Sequence, residues 1–242
     1  HMERGTDMND MRVKTCVLGA VSTNCFLVYH DTTKEAVIID PADNAHYILN
    51  KCSELGISPR AVLLTHGHFD HIMAAEDIRR TFHIKIYASE TEDAMLADGG
   101  LNMSGSWGGM QVSFHADVLL KDGDGLDLIG FGWKVIGTPG HTSGSVCYYV
   151  PEEEVVFAGD TLFCESYGRT DLRYSRCRMI PWYIRDMGSQ PPLDMRNRAI
   201  PLHFTDNESR TYMIGLLIQD NAYEQDIREL LMSFYPGETY AH

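Results

Sequence analysis

The chain has 242 residues, 44% of them hydrophobic, enough to bury a core as one large domain or two small ones, so disorder is not the default reading. Its formal net charge of -14 argues against nucleic acid or an acidic membrane surface as partner, because both need a positive field; a small organic substrate fits better. The six cysteines (Cys16, Cys25, Cys52, Cys147, Cys164 and Cys177) show no C-x-x-C spacing and lie in apolar segments, which predicts buried reduced thiols and a cytoplasmic chain rather than a disulfide frame.

In chain order, residues 1–12 read as a tag remnant (His1-Met2) and an N-terminal arm without the apolar stretch of a signal peptide; no run of about 18 apolar residues follows anywhere. From residue 13 to 158, short β-branched runs alternate with capped amphipathic segments, the pattern of a layered α/β domain. Residues 13–18, 25–29 and 36–39 are predicted strands. Asp43 or Asn44 caps a helix that carries Ile48, Leu49 and Cys52 on one face and stops at Gly56. Residues 61–65 form a buried strand, 72–82 a helix and 85–88 a strand, after which Ser89 and Glu92 make a capping box for a helix through Met95. Asp122-Gly123-Asp124-Gly125 reads as a hairpin turn, and 126–129, 134–136, 146–150 and 155–158 as four further strands.

The informative stretch is Thr65-His66-Gly67-His68-Phe69-Asp70-His71, where three imidazoles and a carboxylate fall within six residues directly after a buried strand. A strand end anchors the loop, Gly67 permits a tight backbone path, and the next helix fixes where Asp70 and His71 point. Imidazole and carboxylate suit zinc, iron or manganese, and a set without thiolates more often leaves a catalytic position open than closes a structural site. The bland alternative is a polar surface loop that happens to hold histidines. Two further loops weigh against it. Thr138-Pro139-Gly140-His141-Thr142-Ser143-Gly144-Ser145 puts His141 after one strand, and Ala158-Gly159-Asp160-Thr161 puts Asp160 after another. Singly each is an ordinary turn residue; together, at three strand ends, they converge.

On these motifs, with Asn24-Cys25, Ile39-Asp40-Pro41, Leu101-Asn102-Met103-Ser104 and Gly168-Arg169-Thr170-Asp171-Leu172, residues 13–172 resemble the metallo-β-lactamase superfamily, and within it the short glyoxalase II-like (hydroxyacylglutathione hydrolase-like) branch. The resemblance implies a four-layer αββα sandwich of the α/β class, with His66, His68 and His141 on a first metal, Asp70 and His71 on a second, and Asp160 bridging. It implies one or two zinc ions, with iron or manganese as alternatives. A bound ion lowers the pKa of water from about 15.7 to about 7, so hydroxide is available to attack a thioester carbonyl at neutral pH. Asp70 is placed to orient that hydroxide and accept its proton. The implied substrate is a hydroxyacyl-glutathione or related thioester. Two other readings stand beside it: a persulfide dioxygenase with one iron on His66, His141 and Asp160, and a metal-binding scaffold without turnover.

After Leu172 the resemblance stops. The family pattern continues with a strand ending in P-G-H-G, whose histidine completes the second metal site, then T-T-I-G-x-E-K; neither occurs here. Composition shifts at the same point, with no lysine beyond Lys134 and eight of the fourteen arginines at or beyond Arg173. Joining the last base of each codon to the first two of the next, from Arg173 to Pro201, permits L-F-T-L-P-N-D-T-M-V-Y-P-G-H-G and then the second motif. Three letters are forced whatever codons are used: Met179-Ile180 gives Asp, Trp182-Tyr183 gives Val and Met187-Gly188 gives Gly, and all three fit. Residues 173–242 are therefore expected to be a frameshifted tail in which the second-metal histidine is missing, which weakens the second site. The competing expectation is a genuine tail whose His203 or His242 replaces it. Within the tail, 211–218 reads as a strand or buried helix and 223–234 as an amphipathic helix. Trp182 and Tyr183 read as packing residues.

Overall fold

The computed structural model describes residues 10–107, 109–153 and 155–161, together with the backbone course of 200–205 and 211–216. β1 (Met11–Leu18), β2 (Thr23–His30), β3 (Glu35–Ile39), β4 (Ser58–Leu63), β5 (Lys85–Ser89) and β6 (Val118–Leu120) lie side by side in that order in a first sheet. β1, β2 and β3 pair antiparallel, as short connections allow, whereas β3 to β6 pair parallel, with helical crossovers between β3 and β4 and between β4 and β5. A second sheet has the order β10-β9-β8-β7, all antiparallel, from β7 (Gly125–Leu128), β8 (Phe131–Gly137), β9 (Val146–Val150) and β10 (Val155–Phe157).

The period of two along each strand decides which core a side chain enters. In β3, Ala36 and Ile38 face the helices while Val37 and Ile39 face the second sheet; in the segment through β4, Val62 and Leu64 do the former and Ala61 and Leu63 the latter. Strands buried on both faces read as continuous apolar runs, as these do. The outer core joins them to Ile48 and Cys52 of α1 (Ala45–Leu55), to Ile72 of α2 (Phe69–Ile72) and to Ala75 and Ile78 of α3 (Ala75–Phe82). The inner core lies between the sheets around Trp133, Val135, Tyr148 and Phe157. Trp133 is fully buried there, and large-to-alanine truncations at such a site cost roughly 3–5 kcal/mol. The described residues thus give the layers helix, sheet, sheet of the expected sandwich.

Several sequence expectations are corrected in detail. The 72–82 helix is two helices: the amide of Ala74 turns aside to the carbonyl of Pro41 (3.0 Å), which interrupts the ladder between α2 and α3. Asp122-Gly123-Asp124-Gly125 is no hairpin turn but the crossing from one sheet to the other, since β6 pairs with β5 and β7 with β8. The carboxylate of Asp122 accepts from the Gly137 amide there (2.7 Å). The tight hairpin is one step later, at Ile129-Gly130, where both residues have positive φ (52° and 86°) as a two-residue turn of this hand requires. Ser89 and Glu92 form no capping box: Glu92 stands at the start of α4 (Asp93–Leu96) with its side chain turned elsewhere. α1 behaves as expected, with Asn44 Oδ1 accepting from Tyr47 N (3.1 Å) and Gly56 closing it in the left-handed conformation.

In the tail, β11 (Ile200–Thr205) pairs antiparallel with β12 (Thr211–Leu216), so the apolar run that starts at Thr211 is a strand. His203 lies on β11; its side chain, and the expectations for Cys164, Cys177, Trp182, Tyr183, 223–234 and His242, lie outside the described residues. Cys16, Cys25, Cys52 and Cys147 are free and buried. Among the described residues no helix is long and apolar enough to cross a membrane.

Candidate metal centre

Topology brings the strand ends to one rim. β3, β4 and β5 are parallel, so Asp40, His66 and Glu92 follow their C-terminal ends on the same edge, where open α/β sheets commonly place their sites. β8 and β10 both run antiparallel to β9 and therefore with each other, and the loops that follow them carry His141 and Asp160. The two sheets are clasped at this rim by Val146 N to Thr65 O (2.9 Å) and by the buried Tyr148 hydroxyl, which donates to Leu64 O (2.8 Å). Gly159 shows how close the approach is: at φ 49°, an added Cβ would sit 2.3 Å from Thr65 Oγ1, so only glycine lets Asp160 reach the site.

All six residues picked from the sequence meet here. The ligating atoms of His66, His68 and His141 lie within 4.8 Å of one another, and so do those of a second group, His66, His71 and Asp160. His68 Nδ1 is 2.8 Å from His141 Nε2. His71 Nε2 is 3.4 Å from Asp70 Oδ2 and 3.2 Å from Asp160 Oδ1, while the other oxygen of Asp160 is 3.4 Å from His141 Nε2. The four imidazoles are buried, and the side chains of Asp70 and Asp160 are each 19% exposed, so the carboxylates form the mouth.

Hydrogen bonds behind the imidazoles set which nitrogen faces inward. Thr65 Oγ1 has a single proton, and it goes to Asp40 Oδ2 (2.6 Å); the hydroxyl is then an acceptor for His66 Nδ1 at 3.2 Å. His66 Nε2 is left as a bare lone pair, buried without a hydrogen-bond partner. Asp40 Oδ2 also accepts from His71 Nδ1 (2.9 Å), which turns His71 Nε2 inward, 3.2 Å from Asp160 Oδ1. Asp40 itself sits at φ 49°, a conformation aspartate tolerates better than most residues, and its other oxygen accepts from Thr65 N (2.8 Å). Sequence reasoning gave Asp40 no role.

The electrostatics favour positive charge in this pocket. Burial, then the neighbouring His71, His141 and His68, hold His66 well below the usual imidazole range, so it stays neutral and able to ligate. Burial opposes charge on His71 too, yet the carboxylates of Asp70, Asp160 and Asp40 outweigh it and hold that imidazole well above the usual range. Burial pushes Asp160 up, but His71, His141 and His68 prevail and lower it. The buried, unpartnered lone pair of the neutral His66, the inward nitrogens grouped with it and the nearby carboxylates, whose pull on a proton at His71 a cation would satisfy instead, fit a divalent ion of the kind nitrogen and oxygen ligands select.

Two stacked sheets with a helical layer and a histidine-carboxylate cluster at their common rim define a metallohydrolase fold. The chain belongs to the metallo-β-lactamase superfamily, whose family model matches residues 18–215 and so runs past Leu172, where the motifs read from the sequence stop. It is 33% identical over 164 residues to the hydroxyacylglutathione hydrolase GloC of Haemophilus influenzae, covering 67% of this chain and 77% of that protein. Among solved structures it is similar to the BLEG-1 B3 metallo-β-lactamase (42% identity, TM-score 0.64, 68% of this chain and 79% of that one). It is also similar to TTHA1623 in a di-iron-bound form (31% identity, TM-score 0.58, 67% and 79%).

Proposed function

We propose that this chain is a metal-dependent thioester hydrolase of the glyoxalase II type. The observation that carries the reading is the pair of donor groups sharing His66 and spanned by one carboxylate, Asp160. Likeness to a hydroxyacylglutathione hydrolase supports the substrate class. His66, His68 and His141 would hold a first ion, Asp70 and His71 a second, with Asp160 between them. Zinc, iron and manganese all suit these donors, and the di-iron neighbour keeps iron in view. When bound, such ions acidify water and polarise a carbonyl.

The remaining roles belong to side chains. Thr23 Oγ1 donates to Asp70 Oδ2 (2.7 Å), fixing that carboxylate at the mouth, where it can orient the attacking water and take up its proton. Asp40 and Thr65 engage Nδ1 of His71 and His66 from behind and so aim Nε2 of each ring into the site. Among the described residues no further histidine joins the second group, and an out-of-frame tail would supply none, so the first site is expected to fill before the second and turnover to be slow. Sequencing the encoding DNA decides that point, since a shifted frame unable to yield P-G-H-G ends it.

The functional test is hydrolysis of lactoyl-glutathione by the chain loaded separately with zinc, iron or manganese, with metal counted per chain. Metal-dependent loss of the thioester absorbance supports the reading. Oxygen uptake with a glutathione persulfide and no thioester cleavage would transfer the site to the oxidative reading. Metal binding with neither activity would make the chain a scaffold.

A further inference from the structure

We propose that Glu92 is a positioning residue whose carboxylate sets the spacing between the two loops carrying His66 with His68 and His141. The residue is 1% exposed, and its two carboxylate oxygens are divided between the loops. Oε2 accepts from the amide of Gly67, the residue between His66 and His68 (2.8 Å), and Oε1 accepts from the amide of Gly144, three residues beyond His141 (2.8 Å). The Thr142 side chain adds a further hydrogen bond. One carboxylate thus joins backbone segments 25 and 52 residues away in the chain.

Both glycines are shaped to admit it. A Cβ on Gly144 would fall 2.7 Å from Glu92 Oε1 and 2.8 Å from Thr91 Cβ; one on Gly67 would fall 3.2 Å from Glu92 Oε2 and 3.1 Å from Met95 Cγ. Neither glycine has a positive φ, so what they supply is close approach and not an unusual turn. The chemistry also requires a carboxylate. Each amide donates to a different oxygen, and only a group with two acceptor oxygens satisfies both; glutamine would turn an NH2 toward one of them. Removing a hydrogen-bonding partner behind a metal-binding group costs about 10–100-fold in metal affinity.

The inference rests on metal binding at this rim and not on the substrate proposed above. Its test is cobalt(II) titration of the full chain and of Glu92→Gln, with affinity read by competition against a chromophoric chelator and ligand field by the visible spectrum. Glu92→Gln is expected to weaken cobalt about tenfold or more and to alter the visible bands. Val150→Ala, a change in the same core at the end of β9 opposite the rim, controls for stability loss and should leave affinity and spectrum of the folded chain unchanged. Should Glu92→Gln fail to fold, Gly144→Ala displaces the carboxylate sterically and is expected to give the same spectral change. Wild-type affinity and an unaltered spectrum in whichever variant folds would overturn the proposal, as would a wild-type chain that takes up no cobalt. Failure to cleave thioesters with the cobalt results intact would overturn only the proposed function.

Discussion

The two halves of the centre are built differently. On the first sheet, His66, His68, Asp70 and His71 come from one continuous loop and helix start, and their orientation is held by Asp40 from the adjacent strand end. On the second sheet, His141 and Asp160 come from separate loops, tied to each other by the Thr138 and Thr161 hydroxyls (2.9 Å) and to the first half by Glu92. The first half is locally preorganised; the second depends on contacts across the sandwich. A change within the first half should therefore act on the metal directly, whereas the second half should respond to anything that loosens the clasp between sheets.

The largest expected effect separates His66→Ala from His141→Ala. His66 belongs to both donor groups, while His141 belongs to one. Losing His66 should abolish the first ion and, because its single inner lone pair is the donor either group would draw on, leave only the carboxylates and His71 to hold an ion weakly, a loss exceeding the roughly 10–100-fold cost of losing a supporting hydrogen bond. Losing His141 should leave residual binding at His66, His71 and Asp160. Metal per chain after dialysis, measured by elemental analysis, distinguishes them, and equal losses would erase the asymmetry between the halves.

Next comes Asp40→Asn, which keeps size but replaces one acceptor oxygen by a donor. If the amide oxygen keeps the Thr65 amide, its NH2 faces the Thr65 hydroxyl and His71 Nδ1. His71 must then accept at Nδ1 and carry its proton on Nε2, the nitrogen that faces Asp160. The expected outcome is a second ion weakened about 10–100-fold with the first less affected, read by two-site metal titration. A buried donor left unpaired costs roughly 1–3 kcal/mol, so the melting temperature should fall as well.

That asymmetry also explains what was legible from sequence. The six donors could be read because each follows a buried strand and four fall within six residues, so chemistry and local structure coincide. Asp40 and Glu92 were not, because their partners lie 25 or more residues away and nothing local marks the pairing. Glu92 was misread because Ser89 three residues earlier imitates a capping box, a local rule overridden here by backbone amides from two other loops. A glycine beside each histidine loop, without a turn to require it, was the available signal. The Asp122 to Gly125 segment failed similarly: its composition announces a turn but not which sheet the next strand joins.

The smallest effect tests whether the second half is the looser one, using Cys147 as an internal reporter. Its thiol lies beneath both loops of that half, 3.6 Å from Thr138 Oγ1 and 3.8 Å from Ala158 O. Burial pushes its pKa up to about 11, against hydrogen bonds from Thr138 and Thr161 that lower it. Cys52, on the helical side of the first sheet, is pushed up to about 12 by burial and by Cys16. Because only the thiolate reacts, alkylation of either in the folded chain should be slow at pH 8 and should climb about tenfold per pH unit up to those values. An exposed thiol with a pKa near 8.5 would instead level off above about pH 9. Adding metal stabilises the closed rim by mass action and should slow Cys147 a few-fold while leaving Cys52 unchanged, as peptide mass mapping after iodoacetamide can read. Equal protection of both thiols would mean that metal tightens the whole sandwich, and the second half would lose its claim to be the part that moves.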